Sequence, residues 1–113
     1  MTAFAPSRFP TPPPATLAAS GVWNSGAVPS GDAAAFSAAA TLSQAGTLTL
    51  QRYIDNAGQI PYGAAMTATL VATVPNFVGV ADGAPVGSFQ VSVTNTSGST
   101  GNLMNVFART LPP

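Results

Sequence analysis

The side chains in this chain that can carry a charge or attack a bond are few: Arg8, Arg52, Arg109, Asp32, Asp55, Asp82, Tyr53, Tyr62 and the hydroxyls of serine and threonine. Lysine, glutamate, histidine and cysteine are absent. Thiol chemistry, disulfides, Cys/His metal sites, imidazole general-base catalysis and Schiff-base lysines are thereby excluded. Two-carboxylate catalysis would need a pair of aspartates brought together across a cleft. Each Asp instead stands beside Gly or Asn, where a carboxylate more often caps the backbone of a turn. A calcium site from Asp82 and Asn76 lacks the spaced ligands of a binding loop. The expectation is a chain that is not an enzyme and takes no metal or cofactor. In Ser97-Gly-Ser-Thr-Gly101 the glycines are loop residues, because a phosphate loop would need a lysine and a following helix.

The chain has 113 residues, enough for one domain, and only 5% of them are charged against a usual value of about 25%. With three arginines, three aspartates and no net charge, it lacks the clustered cations that a nucleic-acid surface requires. The least polar run, Ala33 to Ala40, is too short to span a bilayer, so no membrane partner is expected. Leu, Ile, Val and Phe number 25, and 21 further residues are alanine, which gives a small core. A small core without disulfides, metal or charge networks is most readily stabilised by association with other chains. Near-zero net charge also favours association. The start, Met-Thr-Ala-Phe-Ala-Pro-Ser-Arg, lacks a basic region followed by an apolar one, so synthesis and retention in the cytoplasm are expected. On the same ground Asn95-Thr96-Ser97 is set aside as a glycosylation site.

These residues have to be positioned by strands. Leu48, Leu50, Arg52 and Ile54 alternate with Thr47, Thr49, Gln51 and Tyr53, the period-2 pattern of a half-buried strand. Met66 to Val74 alternates likewise, with Met66, Ala68, Leu70, Ala72 and Val74 on one face. From Ser88 to Thr94, Phe89, Val91 and Val93 point inward. A further strand is predicted from about Leu103 to Thr110 and a short one around Phe77 to Ala81. Residues 33 to 40 admit two readings: alanine content and Asp32 at a cap position suit a helix, while flanking glycines and small side chains suit a tightly packed strand. Turn residues at Asp55-Asn-Ala-Gly, Asp82-Gly and Asn95 to Asn102 separate the strands. The expected fold is all-β, an antiparallel β-sandwich or barrel over residues 21–113. Outward positions are Thr, Ser, Gln and Asn, neutral faces suited to being covered by another subunit.

Residues 1–20 contain Pro6, Pro10, Pro12, Pro13 and Pro14, with Phe4, Arg8 and Phe9 among them. Proline fixes φ and removes donors, so the stretch is expected to be extended. It is either a disordered end or an arm lying across a neighbouring subunit, with Phe4 and Phe9 as anchors. Arg8, Pro12, Pro13, Pro14, Trp23, Arg52 and Arg109 complete the expected interaction residues; in a chain of six charges, each is a candidate for setting register at a contact. Arg52 and Asp55 are close in sequence but stand on opposite faces in ideal strand geometry. Arg52 is therefore expected to pack its stem at the sheet margin with its head on solvent or a carbonyl, or else to reach another subunit.

Thr47-Leu-Thr-Leu-Gln-Arg-Tyr-Ile-Asp-Asn-Ala-Gly-Gln-Ile-Pro-Tyr-Gly, Asp82-Gly-Ala-Pro, Ser88-Phe-Gln-Val-Ser-Val-Thr-Asn-Thr and Gly101-Asn-Leu-Met-Asn-Val together resemble small β-structured virion proteins of tailed bacteriophages, most of all the kind that decorates or cements a capsid. The resemblance runs over residues 46 to 110 and carries over no functional residue. It implies a sandwich or barrel with an arm, grouped as dimers or trimers on the outer surface of a virion. The expected partners are the major capsid protein and copies of the chain itself. The alternative is a tail, fibre or spike component that binds a host glycan through Trp23, Tyr53 or Tyr62 beside Asp55, and a bacterial adhesion module is a third reading.

Overall fold

The structure is a computed structural model and describes residues 2–4, 9–31 and 33–111, the first three by their backbone alone. Ten strands follow in order: β1 (Thr2–Phe4), β2 (Thr16–Leu17), β3 (Val22–Asn24), β4 (Val28–Pro29), β5 (Ala35–Leu42), β6 (Gly46–Tyr53), β7 (Met66–Leu70), β8 (Asn76–Val80), β9 (Ser88–Asn95) and β10 (Gly101–Leu111). Among the described residues there is no helix. The strands form two antiparallel sheets, β1-β10-β5-β8 with β2 also on β10, and β3-β9-β6-β7 with β4 also on β9. Packed face to face, they make a β-sandwich.

Alternation decides the core. Leu48 and Leu50 of β6, Phe89, Val91 and Val93 of β9, Phe36, Ala38 and Ala40 of β5, and Val106 and Ala108 of β10 are all buried between the sheets. Phe36 and Phe89, one from each sheet, meet edge to face with ring centroids 5.5 Å apart and an interplanar angle of 63°. Both are fully buried, so this pair joins the two layers near the centre of the core.

Of the two readings left open at residues 33 to 40, the strand is the one that forms. β5 pairs with β10 on one side and β8 on the other, and Ala38 and Ala40 occupy positions where a larger side chain would hold the sheets apart. Intrinsic helix propensity, at most about 1 kcal/mol per residue, yields to two neighbouring ladders and burial. The alternation read from Met66 to Val74 stops early. β7 ends at Leu70, a tight turn puts Val71 opposite Val74, and Thr73 has a φ of 64°. Ala72 and Val74 are therefore exposed rather than inward, and the Thr73 amide donates to the Leu42 carbonyl at the end of β5. Ile54 likewise leaves the inward face, because β6 ends at Tyr53.

The proline-rich beginning is built into the sandwich where it is described. Phe9 is buried and meets Trp23 edge to face at 5.4 Å. Trp23 Nε1 donates to the Thr11 carbonyl at 3.0 Å, and the Thr11 amide donates to the Ser25 carbonyl at 2.9 Å. Farther on, β2 pairs with β10 and Leu17 is buried. Residues 9–17 thus form a strap from the β3–β4 margin of one sheet to β10 of the other. Along this strap Pro10, Pro12, Pro13 and Pro14 offer no amide donors, and the Thr11 amide between them is taken up by Ser25.

Candidate interaction surface

The charged residues that sequence reading singles out separate into distinct settings. Arg52 follows Leu48 and Leu50 on the inward parity of β6, and its side chain is pointed toward the end of the core rather than at solvent. Its guanidinium forks onto Asp82, with Nη1 to Oδ1 at 2.6 Å and Nη2 to Oδ2 at 2.9 Å. Asp82 lies in the connection from β8 to β9, so the bidentate pair clips one sheet to the other. Tyr62 covers the guanidinium with its ring centroid 5.0 Å away. The head group therefore meets neither solvent nor a carbonyl, and not Asp55: its partner is an aspartate 30 residues on, which no local spacing could reveal.

The pairing with Arg52 holds the Asp82 carboxyl down to about 2, helped by the amide of Ala84 donating to Oδ1 at 3.1 Å. Asp55 caps its own turn: Ile60 and Gln59 donate their amides to its carboxylate at 2.9 Å, and the first of these does most to lower its pKa. Both described carboxylates are occupied. Asn76 is also occupied, donating to the Thr69 carbonyl and accepting from the Phe77 amide, so it does not join Asp82 in a cation site. Asp32 and Arg8 lie outside the described residues, as does the side chain of Phe4.

Trp23, expected at an interface, is 4% exposed and belongs to the core, which removes the main aromatic of a glycan site beside Asp55. Phe9 is buried against Trp23 of its own chain. Pro12 and Pro14 are exposed and Pro13 half-buried on the strap. Asn95 is fully buried. It donates to the carbonyls of Leu17, Ala18 and Ser99 and accepts from Ser97, so its amide is a joint of the fold.

Arg109 is different. It stands on the outward parity of β10 beside Phe107, and its guanidinium lies 4.9 Å from that ring's centroid. Register then assembles the outward face of this sheet in rows. Phe107 pairs with Ala39, and Ala39 with Phe77. Arg109 pairs with Ser37, and Ser37 with Gly79. Leu111 pairs with Ala35. Two phenyl walls therefore stand two strands apart, about 10 Å at ordinary interstrand spacing. The floor between them is Ala35, Ser37 and Ala39. Two adjoining cavities of about 340 and 230 Å³ fill this trough, and both are lined by Ser37, Phe77 and Arg109.

Phe77 is 71% exposed, the highest value among the large apolar residues of the described chain. It was missed in the sequence because a short strand leaves its facing undetermined; Val78 and Val80 look as much like one apolar run with Phe77 as like its opposite face. Across β9, β6 and β7 the outward face of the other sheet holds hydroxyls instead, with Val22 of β3, 61% exposed, at its edge beside Thr94. Thr94, Thr47 and Thr69 form one row across β9, β6 and β7, and Ser92, Thr49 and Thr67 the next.

No protein-family model, no curated protein and no solved structure matches the chain.

Proposed function

We propose that the chain is a non-enzymatic structural protein of a tailed-phage virion, one that decorates the outside of the assembled capsid and stabilises it by bridging neighbouring capsomers. The observation that carries this reading is the outward face of β10-β5-β8, an apolar trough in which Arg109 is the one charge among the described residues, while β9, β6 and β7 of the partner sheet present hydroxyls outside. A soluble domain rarely keeps a well-exposed phenylalanine beside a small-residue floor unless something covers it. Occupied carboxylates at Asp55 and Asp82 support a structural role over a catalytic one.

Size supports a lattice partner in particular. At 71% exposure, Phe77 offers on the order of 100–180 Å² of the 150–250 Å² an aromatic side chain can bury. With Phe107 and Leu111 the trough supplies a few hundred Å², short of the ~800 Å² per partner of a stable pairwise complex. Many weak contacts on a repeating shell, or a dimer or trimer gripping several subunits, make up that shortfall through effective concentration. Binding the closed lattice better than the open one then shifts the shell toward the intact state. The major capsid protein and copies of this chain are the partners this reading requires.

The test is co-sedimentation of labelled protein with assembled mature shells, followed by electron microscopy of labelled virions. Saturable binding over the capsid surface is expected. Absence from shells with label at the tail tip overturns the reading in favour of a tail component.

A further inference from the structure

Among the described residues Arg109 is the only charge in the trough, and it has no carboxylate partner there: the ion pair present joins Arg52 to Asp82 instead. With its Cζ over the Phe107 ring, the guanidinium is attracted to that ring and keeps N–H donors for an acceptor. The floor beneath, Ala35, Ser37 and Ala39, follows β5 for five residues, and Gly79 leaves the β8 side open beside Ser37. A chain lying along this floor would stand over β5 with Phe107 and Phe77, on the two neighbouring strands, to either side of it. Charge decides the rest. An occupant covering this face desolvates Arg109, and burying an unpaired cation is costly, so the occupant has to bring an anion to that position.

We infer that the trough receives an extended segment of the partner shell protein that carries one carboxylate, seated as a fork on Arg109, with apolar side chains on either side of it entering the spaces beside Phe77 and Leu111. This deepens the shell-docking reading and rests on it. A second copy of this chain is a poorer occupant: its described carboxylates, Asp55 and Asp82, are both engaged in its own fold. The carboxylate gives specificity and register, while the phenyl walls supply contact area.

The experiment is an NMR titration of the full chain with a capped eight-residue peptide of alternating valine and threonine bearing one central glutamate, and with its glutamine counterpart. The glutamate peptide is expected to shift resonances of Ser37, Phe77 and Arg109 and to bind at least tenfold more tightly than the glutamine peptide. Arg109→Gln is expected to erase that preference with the spectrum otherwise intact, Arg109→Lys to keep part of it, and Ala39→Leu, which fills the floor, to weaken both peptides. Equal affinity for the two peptides, binding of neither, or the same shifts on concentrating the protein alone overturns the inference. Co-sedimentation separates this failure from that of the broader reading. If wild-type protein does not bind shells, shell docking fails; if wild type and Arg109→Gln bind shells equally, only the carboxylate-bearing occupant fails.

Discussion

Across the outward face of β9, β6 and β7, water meets the hydroxyls of Thr47, Thr49, Thr67, Thr69, Ser92 and Thr94; across that of β10-β5-β8 it meets Phe77, Phe107, Ala39 and Leu111. Both faces arise from the same alternation, and both back onto the same core. The hydroxyl face satisfies itself with solvent. The phenyl face loses free energy to solvent at about 25 cal/mol per Å² of apolar surface left uncovered, so it is the face for which contact with another molecule brings a gain. The two sides of one sandwich thus differ in what they offer another molecule, one hydrogen-bonding groups and the other apolar surface.

The comparison breaks altogether if the shared core is removed. Phe36→Ala takes away half of the aromatic pair between the sheets and is expected to destabilise the fold by about 3–5 kcal/mol, read from the urea midpoint. A loss below about 1 kcal/mol would mean that the layers are held by something else. Next in size is Gly46, where β5 turns over into β6. A Cβ there would sit 2.5 Å from the Thr94 carbonyl oxygen and 2.7 Å from Leu42 Cδ2. Gly46→Ala is expected to cost about 1–3 kcal/mol in the same assay, with both faces disturbed together.

A sharper contrast comes from single exchanges on the two faces. Phe77→Thr is expected to leave stability within about 0.5 kcal/mol of wild type, since the ring is mostly exposed, yet to weaken shell co-sedimentation at least tenfold. Thr49→Val on the opposite face is expected to change neither. If the threonine exchange weakens binding and the phenylalanine one does not, the two faces have been assigned the wrong way round.

The smallest effect concerns acid. Asp82 has its pKa lowered from 3.8 to about 2 by Arg52, and that of Asp55 is lowered by the amides it caps. A depressed carboxylate stabilises the fold above its unfolded value, so this contribution is present above about pH 4 and is lost as pH falls toward 2. Thermal melts from pH 5 down to pH 2 are expected to decline for wild type and to decline less steeply for Asp82→Asn. Parallel declines would remove Asp82 from the acid response.

Much of the fold can be read directly from residues. Alternation at Leu48 to Tyr53 and at Ser88 to Thr94 places two central strands of one sheet, because a period of two is legible wherever one face is buried and the other polar. The same rule is silent where both faces are apolar or small. Residues 33 to 40 therefore stayed open between helix and strand, and Phe77 could not be assigned a side. Trp23 illustrates a different failure: an aromatic between glycines looks like a surface feature, and only Phe9 and Thr11, brought over it by the strap, make it core. Asn95, Arg52 and Asp82 depend in the same way on partners distant in sequence.

What the sequence determined alone is the list of what the chain can offer: no thiol, imidazole or amine, three cations and three anions, and strands with neutral outward residues. Those are properties of composition and of local period, and they hold whatever the chain does in space. Which outward face is polar and which carries the trough was decided by tertiary structure. The chain changes sheet at β2–β3, β4–β5, β5–β6, β7–β8, β8–β9 and β9–β10, so residues far apart in sequence become lateral neighbours. Phe107, Ala39 and Phe77 form one row only through the β10-β5-β8 register, and the same register sets Arg109 on that face beside Ser37, while Arg52, on the inward parity of β6, is paired with Asp82.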